Sequence, residues 1–171
     1  MSTNPMIYIA CLASYNNGIL FGKWINAAQD EDSINAEIHD MLSQSPIPHA
    51  EEWAIHDYDG FGSYPLDEYE SISTICEIAA FIVEHGELGI ELMANVGCNV
   101  EEAREILENN SYGTYDSELD FATELFNECY AHEIPEHLRH YIDYEAFCRD
   151  LFINDYYSIR INGDVHIFSN Y

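Results

Sequence analysis

Asp57-x-Asp59-Gly60 has the outline of a calcium-binding loop, two carboxylates followed by the glycine on which such loops turn. Placing Gly60 at the sixth loop position puts Ile55 at the first and Leu66 at the twelfth, where oxygen donors are required. The spacing argues against that chemistry. His132, His137 and His140, with Glu133 and Glu136, are metal-ligand types, but their spacing fits no zinc signature. With 32 carboxylates in the chain a general acid–base pair is always at hand by chance. No nucleophile elbow, phosphate loop or Cys/His dyad accompanies them. The five cysteines (Cys11, Cys76, Cys98, Cys129 and Cys148) are odd in number and scattered without a C-x-x-C, and read as reduced thiols of a cytosolic protein. The sequence therefore predicts no catalytic residue, no metal and no cofactor.

What remains is the charge itself. From Trp24 to Ala103 the chain runs eighty residues without a Lys or Arg, where an ordinary sequence would carry roughly ten. Eighteen acids occupy the same stretch. They include Asp30, Glu31, Asp32, Glu37, Asp40, Glu51, Glu52, Asp57, Asp59, Asp67, Glu68, Glu70, Glu84, Glu87, Glu101 and Glu102. Glu105, Asp116, Glu118, Asp120, Glu124 and Glu128 continue the series. These acids are the candidate site, a surface for binding a partner. They alternate with Trp53, Ile55, Tyr58, Phe61 and the run Ile72, Ile75, Ile78, Phe81, Ile82, Val83, so they decorate a folded scaffold. A disordered acidic tract lacks such residues. Trp53, Tyr58, Tyr64 and Tyr69 are expected to pack in the core or at hinges.

The totals set the partner's sign. The 171 residues are 47% apolar, with a net charge of −27 from 32 acids and five basic residues. Nucleic acid and anionic membranes need Lys/Arg patches and are excluded as partners. Cationic surfaces are the natural ones, and the strongest cationic grooves belong to proteins that hold DNA or RNA. Duplex DNA carries one charge per roughly 1.7 Å, so 27 charges match about 46 Å of duplex, and a compact chain of this length is about 40 Å across. Arg139, Arg149 and Arg160 lie in the last third, where they are expected to pair with acids or join subunits. Met1 to Tyr8 has no basic n-region, and no apolar run approaches ~18 residues, so neither a signal peptide nor a membrane span is predicted.

The elements that must position the acids follow from periodicity. Met6–Tyr15 and Ile19–Ala27 flank Asn16-Asn17-Gly18, the pattern of a β-hairpin. Asp30 is the N-cap of a helix to about Ser43, with Ile34, Ile38 and Leu42 on its apolar face and a stop at Ser45-Pro46-Ile47-Pro48. Glu51–Tyr58 reads as a third strand closing a small sheet. Helices are predicted from Ser71 or Ser73 to His85, with Gly86 at its end, and from Glu87 to Asn95, stopped by Gly97. Asn99 caps another to about Glu108, with Glu102 as its partner. Ser111–Tyr115 is a short strand, and Ser117-Glu118-Leu119-Asp120 opens a helix to about Ala131. Pro135–Tyr141 and Tyr144–Phe152 are short helices, and Asn162-Gly163 turns a terminal hairpin. The predicted class is α/β of the α+β type in three small subdomains: an N-terminal α/β part (1–62), a central helical part (63–110) and a C-terminal α/β part (111–171) with a dimer contact.

Several blocks are familiar. IYIACLASYNNG with Trp24-Ile25, EEWAIHDYDGFG (51–62), LDEYESI (66–72), IPEHLRHYIDYEAFCRDL (134–151) and Val165-His166-Ile167-Phe168 resemble the ArdA antirestriction family, in order along essentially the whole chain. The resemblance implies an elongated three-part homodimer that imitates bent duplex DNA and occupies the DNA groove of type I restriction–modification enzymes. It implies a cytoplasmic, non-enzymatic protein acting on the methyltransferase core. The family's acidic segment falls within Asp120–Tyr130, leaner here, with Asp120, Glu124 and Glu128. The physics agrees: a Lys/Arg-lined groove gains affinity by counterion release, which fixed carboxylates provide without any base sequence. An acidic module for another basic DNA-binding protein is the second reading, and an acidic hydrolase the third.

Overall fold

The computed structural model describes residues 4–170, so Met1–Thr3 and Tyr171 of the expected outer subdomains lie outside the described residues. Contacts divide the chain into two compact units, Met1–Val100 and Glu101–Tyr171. The class is as the sequence predicts: helices with two small antiparallel sheets of three strands each.

The first sheet has the order β2-β1-β3, with β1 (Met6–Cys11) pairing antiparallel to both β2 (Gly22–Asn26) and β3 (Trp53–Asp59). Alternation on β1 buries Ile7, Ile9 and Cys11 completely on one face. Helix α2 (Glu31–Ser43) covers that face with Ile34, Ile38 and Met41; the predicted Leu42 is half-buried, one position off the stripe. Its N-cap is Asp30, whose side chain accepts from the Ser33 N–H at 2.9 Å.

The first Asn-Gly does not make the predicted tight hairpin. A helical turn, α1 (Leu12–Asn16), interrupts the apolar run and strand pairing ends at Ala10–Gly22. The cause is Ser14, which is fully buried, with its hydroxyl 3.0 Å from that of Ser45. Its carbonyl accepts from both the Asn17 and Ile19 N–H groups, and the Asn17 amide donates to the Ala13 carbonyl at 2.8 Å. A buried hydroxyl must find a partner, and here the partner holds the chain in a helical turn. Asn17 and Gly18 end that turn instead of making a two-residue loop.

Strand β3 carries a bulge. Ile55 is opposite Ile9 and Asp57 is opposite Tyr8, so two β3 positions are spanned by one step of β1 and His56 is left over. The phase flips there. Trp53 and Ile55 share the inner face with Cys11 and Ile9, whereas beyond His56 it is Tyr58 that pairs with Ile7, and Asp57 and Asp59 turn outward. The Tyr58 ring meets buried Phe61 edge-on at 5.8 Å.

Helix α3 (Ile72–Val96) starts at Ser71, whose hydroxyl accepts from the Thr74 N–H. It is broken at Gly86 (φ 61°, ψ −144°), the predicted junction of two helices, and ends at left-handed Gly97. Ile75, Ile78, Phe81, Leu92 and Met93 bury its apolar side.

The second unit opens with α4 (Val100–Asn109), followed by β4 (Ser111–Tyr115) and α5 (Glu118–Cys129). Two 3-10 turns follow (Ala131–Glu133 and Glu136–Tyr141), where a short helix is predicted from Pro135. Then come α6 (Tyr144–Asn154), β5 (Tyr156–Ile161) and β6 (Asp164–Ser169). The second Asn-Gly behaves as predicted: Asn162 (φ 52°) and Gly163 (φ 104°) both take positive φ and turn β5 directly into β6. β4 joins on the other side of β6, giving the order β4-β6-β5. Phe121, Val165 and Ile167 form the core, packed by Tyr115, Leu125, Phe152 and Tyr156.

Candidate functional site

None of the predicted partner-binding acids is buried: all are exposed except Glu37, Glu70 and Glu118, which are half-buried. A carboxylate kept in water needs no partner inside the protein, so this placement leaves the charge on the surface.

In the first unit, Asp30, Glu31 and Asp32 gather at the N-terminus of α2, where the helix dipole favours anions. The Ser33 hydroxyl and N–H hold the Asp30 carboxyl below the usual carboxylate range. Glu37 and Asp40 lie further along α2. Glu37 is the one most engaged internally: Lys23 Nζ approaches it at 2.6 Å and the Gln29 amide donates to it at 2.8 Å, and both lower its pKa. Asp40 accepts from the Gln44 amide. Glu51 and Glu52 lead into β3, and Asp57 and Asp59 project from its outer face. Glu68 follows in the next loop, 3.9 Å from His56, with Glu70 accepting from the Ser71 N–H. Asp67 is exposed beside them, as are Glu84 and Glu87 on either side of the Gly86 break in α3.

In the second unit, Glu101, Glu102 and Glu105 are exposed along α4. Glu118 accepts from the Ser158 hydroxyl at 2.6 Å, and Asp120 from the Ser117 hydroxyl at 2.6 Å. Asp116, Asp120 and Glu124 converge with Asp164 on a cleft of about 600 Å³ walled by Tyr112 and Tyr115. Burial, then Glu124 and Glu128, push the Tyr115 phenol up. Asp164 was missed by sequence reasoning; its place opening β6, directly after the Asn-Gly turn, is the signal that could have found it.

The cations offer little neutralisation. Five against 32 leaves 27 acids uncompensated even if every cation were paired. Lys23 is committed to Glu37, Arg149 lies 3.9 Å from Asp150, and Arg139 donates to the Ile134 carbonyl.

The other constellations stay apart. Asp57 and Asp59 lie on a strand, not a loop, and His132, His137 and His140 are exposed on the 3-10 turns. Among the described residues no three His, Cys, Asp or Glu side chains are grouped to hold a metal ion. Cys11 and Cys98 are buried, Cys129 is exposed, and none of the five cysteines forms a disulfide among the described residues. Among the described residues no helix is long and apolar enough to cross a membrane.

One aromatic departs from expectation. Trp53, Tyr58 and Tyr64 are half-buried as expected, but Tyr69 is exposed, its phenol pushed up chiefly by the adjacent Glu68 carboxylate. Trp24 is 42% exposed on the outer face of the first sheet, where its register partner is Tyr8. In the last third, Phe121 and Phe168 are buried and most other aromatics are half-buried, packed against one another. Phe126, Tyr130, Tyr144 and Phe147 pack between α5 and α6 with ring centroids 5.1–6.0 Å apart. Tyr141 and Ile153 remain largely exposed.

Against known proteins, residues 7–165 match the family model described as antirestriction protein (ArdA). No curated protein matches the sequence.

Proposed function

The chain belongs to the ArdA antirestriction family, and from that premise we propose that it is a non-enzymatic DNA mimic. As a cytoplasmic homodimer it inhibits type I restriction–modification enzymes by laying its acidic surface in the DNA groove of their methyltransferase core. The observation that carries this reading is the placement of the acids. Every one is at the surface, and eighty consecutive residues supply no Lys or Arg. A groove built for phosphates would release its counterions to such a surface as it does to DNA. Carboxylates fixed on helices and strands lose little freedom on binding. Because no base edges are involved, the same surface serves enzymes of different sequence specificity. The dimer contact belongs to residues 111–171, where three of the five cations (Arg139, Arg149 and Arg160) lie and Tyr141 and Ile153 are exposed.

Transformation of a restricting host that expresses the chain tests this directly. Unmodified DNA should be rescued from restriction, while pre-modified DNA transforms equally well with or without the protein. Equal effects on both DNAs, or no rescue, would favour an acidic module for another basic DNA-binding protein.

A further inference from the structure

The outer face of the first sheet is not uniformly acidic. Register places Tyr8 of β1 between Trp24 of β2 and Asp57 of β3, and Met6 between Asn26 and Asp59. Tyr8 and Trp24 are in ring contact, centroids 5.5 Å apart and planes tilted by 55°. Gly22 makes room for this: a Cβ there would meet the Tyr8 ring at 2.8 Å, so Tyr8 lies down across β2 beside Trp24. Asp57 and Asp59 share with Trp24 and Met6 the walls of a depression of about 520 Å³. Lys23, next to Trp24 on β2, is in register with Ile9 on the opposite side and bonded to Glu37.

We propose that this depression seats a guanidinium side chain of a basic partner protein, stacked on Trp24 and held by Asp57 and Asp59. The inference rests on the reading above, that the partner is a Lys/Arg-lined groove, and names the contact that is not purely coulombic. Charge complementarity selects the occupant. An indole face attracts cations through its quadrupole, and two carboxylates beside it repel nucleotides, anionic lipids and a second copy of this −27 chain. Arginine fits better than lysine because its planar, weakly hydrated head can stack on a ring and still donate sideways to carboxylates.

The probe is N-acetyl-arginine amide, titrated into the full chain at low salt and followed through the indole N–H resonances of its two tryptophans. Trp24→Phe assigns them by loss of one signal. The Trp24 resonance should shift saturably with the arginine amide, less with the lysine amide and not with the glutamate amide, while Trp53 stays still. A Trp24 signal that does not move, or moves equally with all three, overturns the proposal. Against a type I methyltransferase core, Trp24→Leu should weaken binding about 5- to 30-fold with an unchanged salt slope, and Trp24→Phe much less. Leucine equal to phenylalanine would mean plain apolar contact and would also overturn it. Should the wild-type chain fail to bind the enzyme at all, the proposed function falls, and the arginine titration alone decides this site.

Discussion

Ile55 and Asp57, two residues apart on one strand, face opposite sides of the first sheet: Ile55 opposes Ile9 on the buried face and Asp57 opposes Tyr8 on the outer one. Strict alternation would put them on the same side and drive two carboxylates toward the core or an isoleucine into water. The extra residue, His56, resolves the conflict.

Deleting His56 should therefore be far worse than replacing it. Without the bulge either Asp57 and Asp59 turn inward or the strand slips, and an unpaired buried carboxylate costs several kcal/mol. The deletion variant is expected to lose the fold of the first unit, seen as loss of dispersed β1–β3 amide resonances, while His56→Ala keeps them. A deletion variant with the native spectrum would show that the bulge is not what aims the acids.

Much of this was legible in the sequence, and the gaps have physical causes. Asp30 as a cap, the break at Gly86, the stop at Gly97 and the Asn162-Gly163 hairpin were readable because each depends on its own few residues. The identical Asn-Gly at residues 17–18 does not make the hairpin its own residues predict, because buried Ser14, bonded to Ser45 31 residues further on, decides the local conformation. The bulge at His56 is likewise invisible locally, since it exists only relative to β1. For the site, type and exposure of the acids were readable. The Tyr8–Trp24 pair was not, because it needs the register of two strands.

The Tyr156 phenol makes alkaline stability a test of the second core. Burial, then a hydrogen bond and proximity to Tyr112, push its pKa up to about 12. The unfolded chain ionises near pH ~10, so the folded state holds its proton more tightly. This contribution is complete below pH ~10 and is lost as pH rises toward about 12. Tyr156→Phe should flatten the fall in unfolding free energy over that window, measured by denaturant titration at several pH values. An unchanged slope would contradict the assignment.

Inhibition should be distributed across the acids. Exposed charge pairs contribute about 0.2–1 kcal/mol each, so Glu52→Gln or Asp67→Asn alone should weaken inhibition less than about fivefold. Neutralising Glu51, Glu52, Asp57 and Asp59 together should weaken it by about 10- to 100-fold if the contributions add. A single folded point mutant that abolishes inhibition would instead point to a catalytic group, whose loss costs 10²–10⁴-fold.

Self-association should reside in the last third. Light scattering is expected to give the full chain twice its 19.6 kDa mass, and a chain ending at Val100, the limit of the first compact unit, a monomer. A dimer of the shortened chain would move the contact into the first unit.

In the proposed function this surface takes the place of DNA. The most direct measurement is displacement of a labelled duplex from a type I methyltransferase core by the full chain, repeated from 50 to 500 mM salt. Mutually exclusive binding is predicted, with log affinity falling steeply and linearly against log salt concentration as DNA binding does. A ternary complex that keeps its duplex, or an affinity indifferent to salt, would contradict the account.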